Sequence, residues 1–171
     1  LFRSVAAAPL LQQELPDGAW QVTTKVTVNA TQRFQQAGLL LWAADDHYAK
    51  LDLGRATPGP TVELVHHERG SNRMDSAAPR VPGTTTIWLR LTSDGDAVRA
   101  AVSYDGVTFE RYGRDIEGAT FTHVGPYAFR GGSGAPEIPA SFDFFRFSPD
   151  ADAYAACLAD QTGGFVDVAA D

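Results

Sequence analysis

The chain has 171 residues, 44% of them hydrophobic and ten of them Phe, enough for one domain with a sizeable core and too apolar for overall disorder. Its formal charge of -7, from 14 basic and 21 acidic side chains, supplies no basic field, so nucleic acid and anionic membrane are disfavoured as partners and neutral ligands suit it better. No apolar run approaches the roughly 20 residues needed to cross a bilayer, and the start carries no signal-peptide pattern.

Leu1 is not a methionine and Met74 is the only one present, so the chain reads as a processed piece or a fragment of a longer product. Cys157 has no partner within the chain, which leaves the redox compartment undetermined. Sixteen Gly and ten Pro punctuate short apolar runs, and no long segment repeats at helical spacing. That pattern predicts an all-β antiparallel sandwich with few helices.

Residues 1–15 are an Ala-rich lead ending in Leu10, Leu11 and Leu15, read as a short edge strand before the Asp17-Gly18 turn. From Trp20 the alternation is clean. Trp20, Val22, Val26 and Val28 share one parity, while Gln21, Thr23, Lys25 and Thr27 share the other, as in a half-buried strand.

Residues 39–43 and 48–53 flank Asp45-Asp46 and predict a hairpin, with Ala49, Leu51 and Leu53 opposed to Tyr48, Lys50 and Asp52. Its register has two solutions. With a loop of only Asp45 and Asp46, residues 43 and 48 pair and Trp42 turns into the core. If the loop also takes His47, residues 44 and 48 pair, residue 42 faces Lys50, and Trp42 joins Tyr48 on the polar face. The second register is the expectation, because it buries Leu39, Leu41, Leu51 and Leu53 together.

Pro58-Gly59-Pro60 turns the chain into a strand over residues 61–69, and residues 70–84 read as a long loop. A meander follows. Residues 85–92 oppose Ile87, Leu89 and Leu91 to Thr86, Trp88 and Arg90, Asp94-Gly95 returns the chain through residues 97–104, and Asp105-Gly106 starts the next hairpin. Strands over 124–129 and 142–147 bracket a glycine-rich loop at 131–140. Residues 1–148 thus form one sandwich domain. Residues 149–171 are an Ala-rich linker or the start of a following segment, with room for a short helix at 150–160.

Catalytic signatures are missing. Glu63 and Glu68 are five apart on one strand and point to opposite faces, so they cannot bracket a glycosidic bond. His66 and His67 are neighbours, hence opposed, and His47 and His123 stand alone in linear spacing, which argues against a catalytic zinc. Neither a G-x-S-x-G elbow nor a phosphate loop occurs. In Ser103-Tyr104-Asp105-Gly106-Val107-Thr108-Phe109, Asp105 and Gly106 make the turn and Ser103 and Thr108 bond to its backbone.

In their order along residues 10–148, Leu15-Pro16-Asp17-Gly18, the strand QVTTKVTV, the hairpin from Ala37-Gly38-Leu39-Leu40-Leu41-Trp42 to Tyr48-Ala49-Lys50-Leu51, Trp88-Leu89-Arg90-Leu91, Ser103-Tyr104-Asp105-Gly106 and Phe142-Asp143-Phe144-Phe145 form a recognisable set. The set resembles the concanavalin A-like lectin/glucanase jelly rolls appended to secreted bacterial glycoside hydrolases, including the C-terminal domain of family 43 β-xylosidases. The resemblance implies a two-sheet jelly-roll sandwich with a concave face, a secreted protein, and a carbohydrate-binding or accessory module rather than an enzyme. Such domains open with strands ahead of the Leu-Leu-Gln segment, so this chain is expected to lack its N-terminal strands and to be completed by that missing segment or another polypeptide. The resemblance also implies a structural Ca²⁺ with Asp143 among its ligands.

Neutral glycans are held by aromatic faces and by polar groups that bond hydroxyls, a mixture that Trp42, Tyr48, Lys50, Asp52, Trp88 and Arg90 offer. The expected function is therefore a non-catalytic module binding a polysaccharide or oligosaccharide through these six residues. The alternative is a structural accessory that packs on a neighbouring catalytic domain and completes its active site, with residues 66–84 as the contributing loop.

Overall fold

In a computed structural model the described residues are 11–132 and 134–149. They form eleven strands and no helix: β1 (Gln13–Glu14), β2 (Ala19–Val28), β3 (Gln35–Ala44), β4 (His47–Arg55), β5 (Pro60–Glu68), β6 (Ser71–Ala77), β7 (Thr86–Asp94), β8 (Ala97–Ser103), β9 (Glu110–Glu117), β10 (His123–Arg130) and β11 (Ala140–Ser148). One sheet has six strands in the order β1-β10-β3-β4-β5-β6, the other five in the order β11-β2-β7-β8-β9. Every pairing is antiparallel. The expected helix at 150–160, the linker and Cys157 lie outside the described residues.

Period-two alternation places the core. Val22, Val26, Ile87, Leu89, Leu91, Ala100 and Val102 of the five-stranded sheet meet Ala37, Leu39, Leu41, Ala49, Leu51, Leu53, Val62 and Leu64 of the six-stranded one. Trp20 closes this layer, and Trp20, Val22, Val26, Leu89 and Leu91, which alternation set on the apolar parity of their strands, are buried together with Val102. The three tryptophans fall in three layers: Trp20 in the core, Trp42 on the outer face of the six-stranded sheet and Trp88 on the outer face of the other.

Two strands were not visible as hydrophobic patterns. Residues 71–77, expected within a loop, form β6 and pair with β5 from Glu68↔Ser71 to Val62↔Ala77. The connecting residues Arg69 and Gly70 have φ of 46° and 81°, the doubly left-handed pair a two-residue hairpin requires. A non-glycine residue at the first of these positions hides the turn in the sequence. β9 is likewise polar along most of its length, as a strand with little buried surface can be.

Candidate functional site

The outer face of the six-stranded sheet carries four rows of side chains set by strand register. Trp42, Tyr48 and His67 form one row across β3, β4 and β5; Leu40, Lys50 and Val65 the next; Gly38, Asp52 and Glu63 the third; Gln36, Gly54 and Thr61 the last. β10 adds Tyr127 beside Gly38 and Phe129 beside Gln36.

The register of the hairpin differs from both sequence solutions. Asp45 and Asp46 alone make the turn, Ala44 pairs with His47, and Ala43 is a bulge, so Trp42 pairs with Tyr48 rather than facing Lys50. The bulge returns the parity that a two-residue loop would have reversed. Trp42 therefore shares the outer face with Tyr48, as expected, by a different route, and Leu39, Leu41, Leu51 and Leu53 are buried together.

The polar members of this face are buried. Lys50 is 1% exposed and Asp52 0%. The Lys50 ammonium donates to Gln36 Oε1 and, at 2.9 Å, to Asp52 Oδ2, and it lies 3.7 Å from Glu63 Oε2. Tyr127 donates its hydroxyl to the same Asp52 oxygen at 2.6 Å. That bond spans two strand spacings, roughly 9.6 Å, and passes over Gly38. Gly38 fits there because its backbone is close-packed: a Cβ would sit 2.1 Å from the Leu51 carbonyl oxygen. Burial and then the neighbouring Asp52 charge raise the Glu63 carboxyl above its ordinary range, against the opposing pull of Lys50.

Tyr48 lies between two rings. Trp42 is near-parallel to it at 6.3 Å and 15°, and His67 at 5.0 Å and 24°. Only 1% of Tyr48 is exposed, and burial pushes its hydroxyl up to about 12. Among the described residues, three buried polar atoms on this face have no hydrogen-bond partner: Tyr48 OH, Asp52 Oδ1 and His67 Nδ1.

The expected six-residue platform is divided between opposite sides of the sandwich. Trp88 and Arg90 alternate with the core residues Ile87, Leu89 and Leu91, so they occupy the outer face of the five-stranded sheet. There the Lys25 ammonium stands over the Trp88 ring at 5.1 Å, and the Arg90 guanidinium covers Phe109 at 3.5 Å. Alternation separates inside from outside but does not say which sheet an outside residue belongs to.

Asp143 occupies a bulge in β11 between Phe142 and Phe144 and binds the Lys25 ammonium at 2.5 Å. Calcium requires six to eight oxygen ligands, and an ammonium held on the carboxylate is a competitor for the ion.

The Ser103–Asp105 segment is a turn, as read. Asp105 Oδ1 accepts from the Val107 and Thr108 N–H groups and from the Ser103 hydroxyl, each at 2.8 Å. The backbone bond from Thr108, with those from Val107 and Ser103, lowers the Asp105 carboxyl to about 2. Glu63 faces outward on β5, whereas Glu68 lies at its end with His66 and His47. The latter grouping arises from cross-strand register, which linear spacing does not display.

Residues 2–148 match the family described as the β-xylosidase C-terminal concanavalin A-like domain. In fold the chain is similar to the GH43 protein BlXynB from Bacillus licheniformis, with a TM-score of 0.65 and 20% identity over 81% of this chain and 32% of that one. It is also similar to the xylan β-1,4-xylosidase from Bacillus halodurans, with a TM-score of 0.70 and 16% identity over 82% of this chain and 29% of that one. The chain thus spans about a third of the length of these hydrolases. A functionally unknown protein from Saccharomyces cerevisiae matches at a TM-score of 0.66 and 19% identity, over 81% of this chain and 72% of that one. No curated protein matches the chain.

Proposed function

The chain belongs to the β-xylosidase C-terminal concanavalin A-like domain family, a non-catalytic accessory of family 43 glycoside hydrolases, and from that premise we propose that it acts by docking on the neighbouring catalytic domain rather than by holding glycan as a free module. The observation that carries this reading is the state of the outer face of the six-stranded sheet. A sugar platform needs an open aromatic face and free hydroxyl-bonding groups. Here both faces of Tyr48 are taken by Trp42 and His67, and Lys50, Asp52, Gln36 and Tyr127 are bonded to one another under cover.

One further feature supports a protein partner. Met74 on β6, whose partner Val65 faces outward, is 53% exposed and extends this face with apolar surface. The parent protein is then a secreted xylan-degrading hydrolase, with this domain as its structural support.

The test mixes the chain with the catalytic domain of its parent and measures complex formation by analytical ultracentrifugation, alongside retention on insoluble xylan. A complex that Met74→Asp weakens at least tenfold, with no retention of the chain alone, is the expected result. Retention of the isolated chain on xylan, with no complex formed, would overturn the proposal.

A further inference from the structure

At the end of the β4–β5 ladder the core face runs out of aliphatic residues and three potential ligands converge. Register pairs His47 with Glu68 and Ala49 with His66, and Ala49 belongs to the core. His47, His66 and Glu68 therefore lie on the core side of the sheet, at its rim. One ligand atom from each lies within 4.8 Å of the others. The imidazole centroids are 5.9 Å apart, and Phe121 walls both rings, at 5.1 Å from His47 and 6.0 Å from His66.

One nitrogen of each histidine makes no hydrogen bond to the described residues: His47 Nε2 and His66 Nε2 are both buried without a partner among them. An aromatic cluster that merely filled the end of the core would gain nothing from two orphaned imidazole nitrogens and a carboxylate, and each orphan carries a desolvation penalty. A cation removes both problems, because the lone pairs become ligands.

We propose that His47, His66 and Glu68 form a binding site for a divalent transition-metal ion of the zinc class. Two imidazoles and one carboxylate, with a fourth position open to water, are an established donor set for zinc, whereas calcium and magnesium require oxygen. With bonds of about 2.0–2.1 Å, ligand atoms around a tetrahedral ion stand about 3.3 Å apart, so atoms now within 4.8 Å of one another need to approach by at most about 1.5 Å. Ion and water enter through the cleft of about 470 Å³ lined by His66, Glu68, Arg69, Ser71 and Arg73. Arg73, paired with His66, is the cation nearest in register, and its Nη2 donates to the Asp115 carbonyl at 2.9 Å, which holds it towards β9. Glu68 supplies the charge that offsets the ion. His67 points to the opposite face against Tyr48 and takes no part.

The test titrates the full chain with Zn²⁺ by calorimetry and with Co²⁺ by visible absorption, using Ca²⁺ and Mg²⁺ as controls. One zinc per chain, tetrahedral cobalt bands and a melting temperature that rises with zinc are expected, and the controls should be silent. His66→Phe keeps the ring packing and Glu68→Gln keeps the shape, and each should weaken zinc at least about tenfold, the lower limit for losing even a supporting group. Melting without metal verifies that both variants fold. Absence of zinc binding, or binding unchanged in both folded variants, would overturn the proposal.

Discussion

Replacing Lys50 by Met tests whether the outer-face network is held together as a buried ionic unit. The substitution removes the ammonium that Asp52 Oδ2 accepts from at 2.9 Å and that stands 3.7 Å from Glu63 Oε2, leaving the Asp52 carboxylate, 0% exposed, with the Tyr127 hydroxyl as its side-chain donor and the Glu63 charge nearby. Breaking a buried pair by removing one partner costs about 3–5 kcal/mol, because the surviving charge stays desolvated. For a domain of this size each kcal/mol moves the melting temperature by roughly 2–4 °C, so a fall of about 6–20 °C is expected. Urea denaturation should show a lower midpoint with an unchanged slope, the mark of altered stability rather than altered compactness. Adding Asp52→Leu should recover a large part of the loss, giving a coupling energy of more than about 1.5 kcal/mol in the double-mutant cycle. A Lys50→Met loss below about 1 kcal/mol, or strictly additive effects, would refute the reasoning.

Three other variants probe separate features. Gly106→Ala forces a side chain onto a backbone at φ of 80° and puts its Cβ 2.8 Å from Trp88 Cε2, so stability should fall by about 1–3 kcal/mol in urea; an unchanged midpoint would show that the turn relaxes freely. Tyr48→Phe deletes a buried hydroxyl that has no partner among the described residues, so the isolated chain should be as stable or more so by calorimetry; a loss above about 1 kcal/mol would show that the hydroxyl is bonded. Backbone N–H groups of Ala97 and Thr108 lead the causes that hold Asp94 and Asp105 at about 2, below the ordinary 3.8. Depressed carboxyls contribute stability above their unfolded value and lose it as pH falls through the folded one, so Asp94→Asn/Asp105→Asn should flatten the acid limb of the melting curve between 3.8 and about 2. Parallel limbs in parent and variant would contradict that assignment.

The sandwich and its core were legible because alternation survives wherever a strand buries one face, as in β2, β4 and β7. β6 and β9 bury too little to alternate, and the turn at Arg69 lacks the expected Asn or Asp. The site was only partly legible, for three physical reasons. A bulge at Ala43 set a register outside the two considered, Trp88 and Arg90 share the outward parity but belong to the other sheet, and polar residues were equated with solvent although Lys50 and Asp52 bury one another. The grouping of His47 with His66 and Glu68 becomes visible only once β4 and β5 are aligned, since the residues are far apart in sequence.

The distribution of tryptophans gives the molecule a built-in optical readout. Trp20 sits in the core, Trp42 stands beside Tyr48, and Trp88 lies under Lys25 on the far side of the other sheet. Variants keeping a single indole would therefore emit from one layer at a time. Docking on the outer face of the six-stranded sheet should change the Trp42 signal and leave the Trp88 signal constant, whereas loss of the sandwich should move the Trp20 emission to longer wavelength. A binding event and an unfolding event thus become separable in one cuvette, with no label attached to the chain.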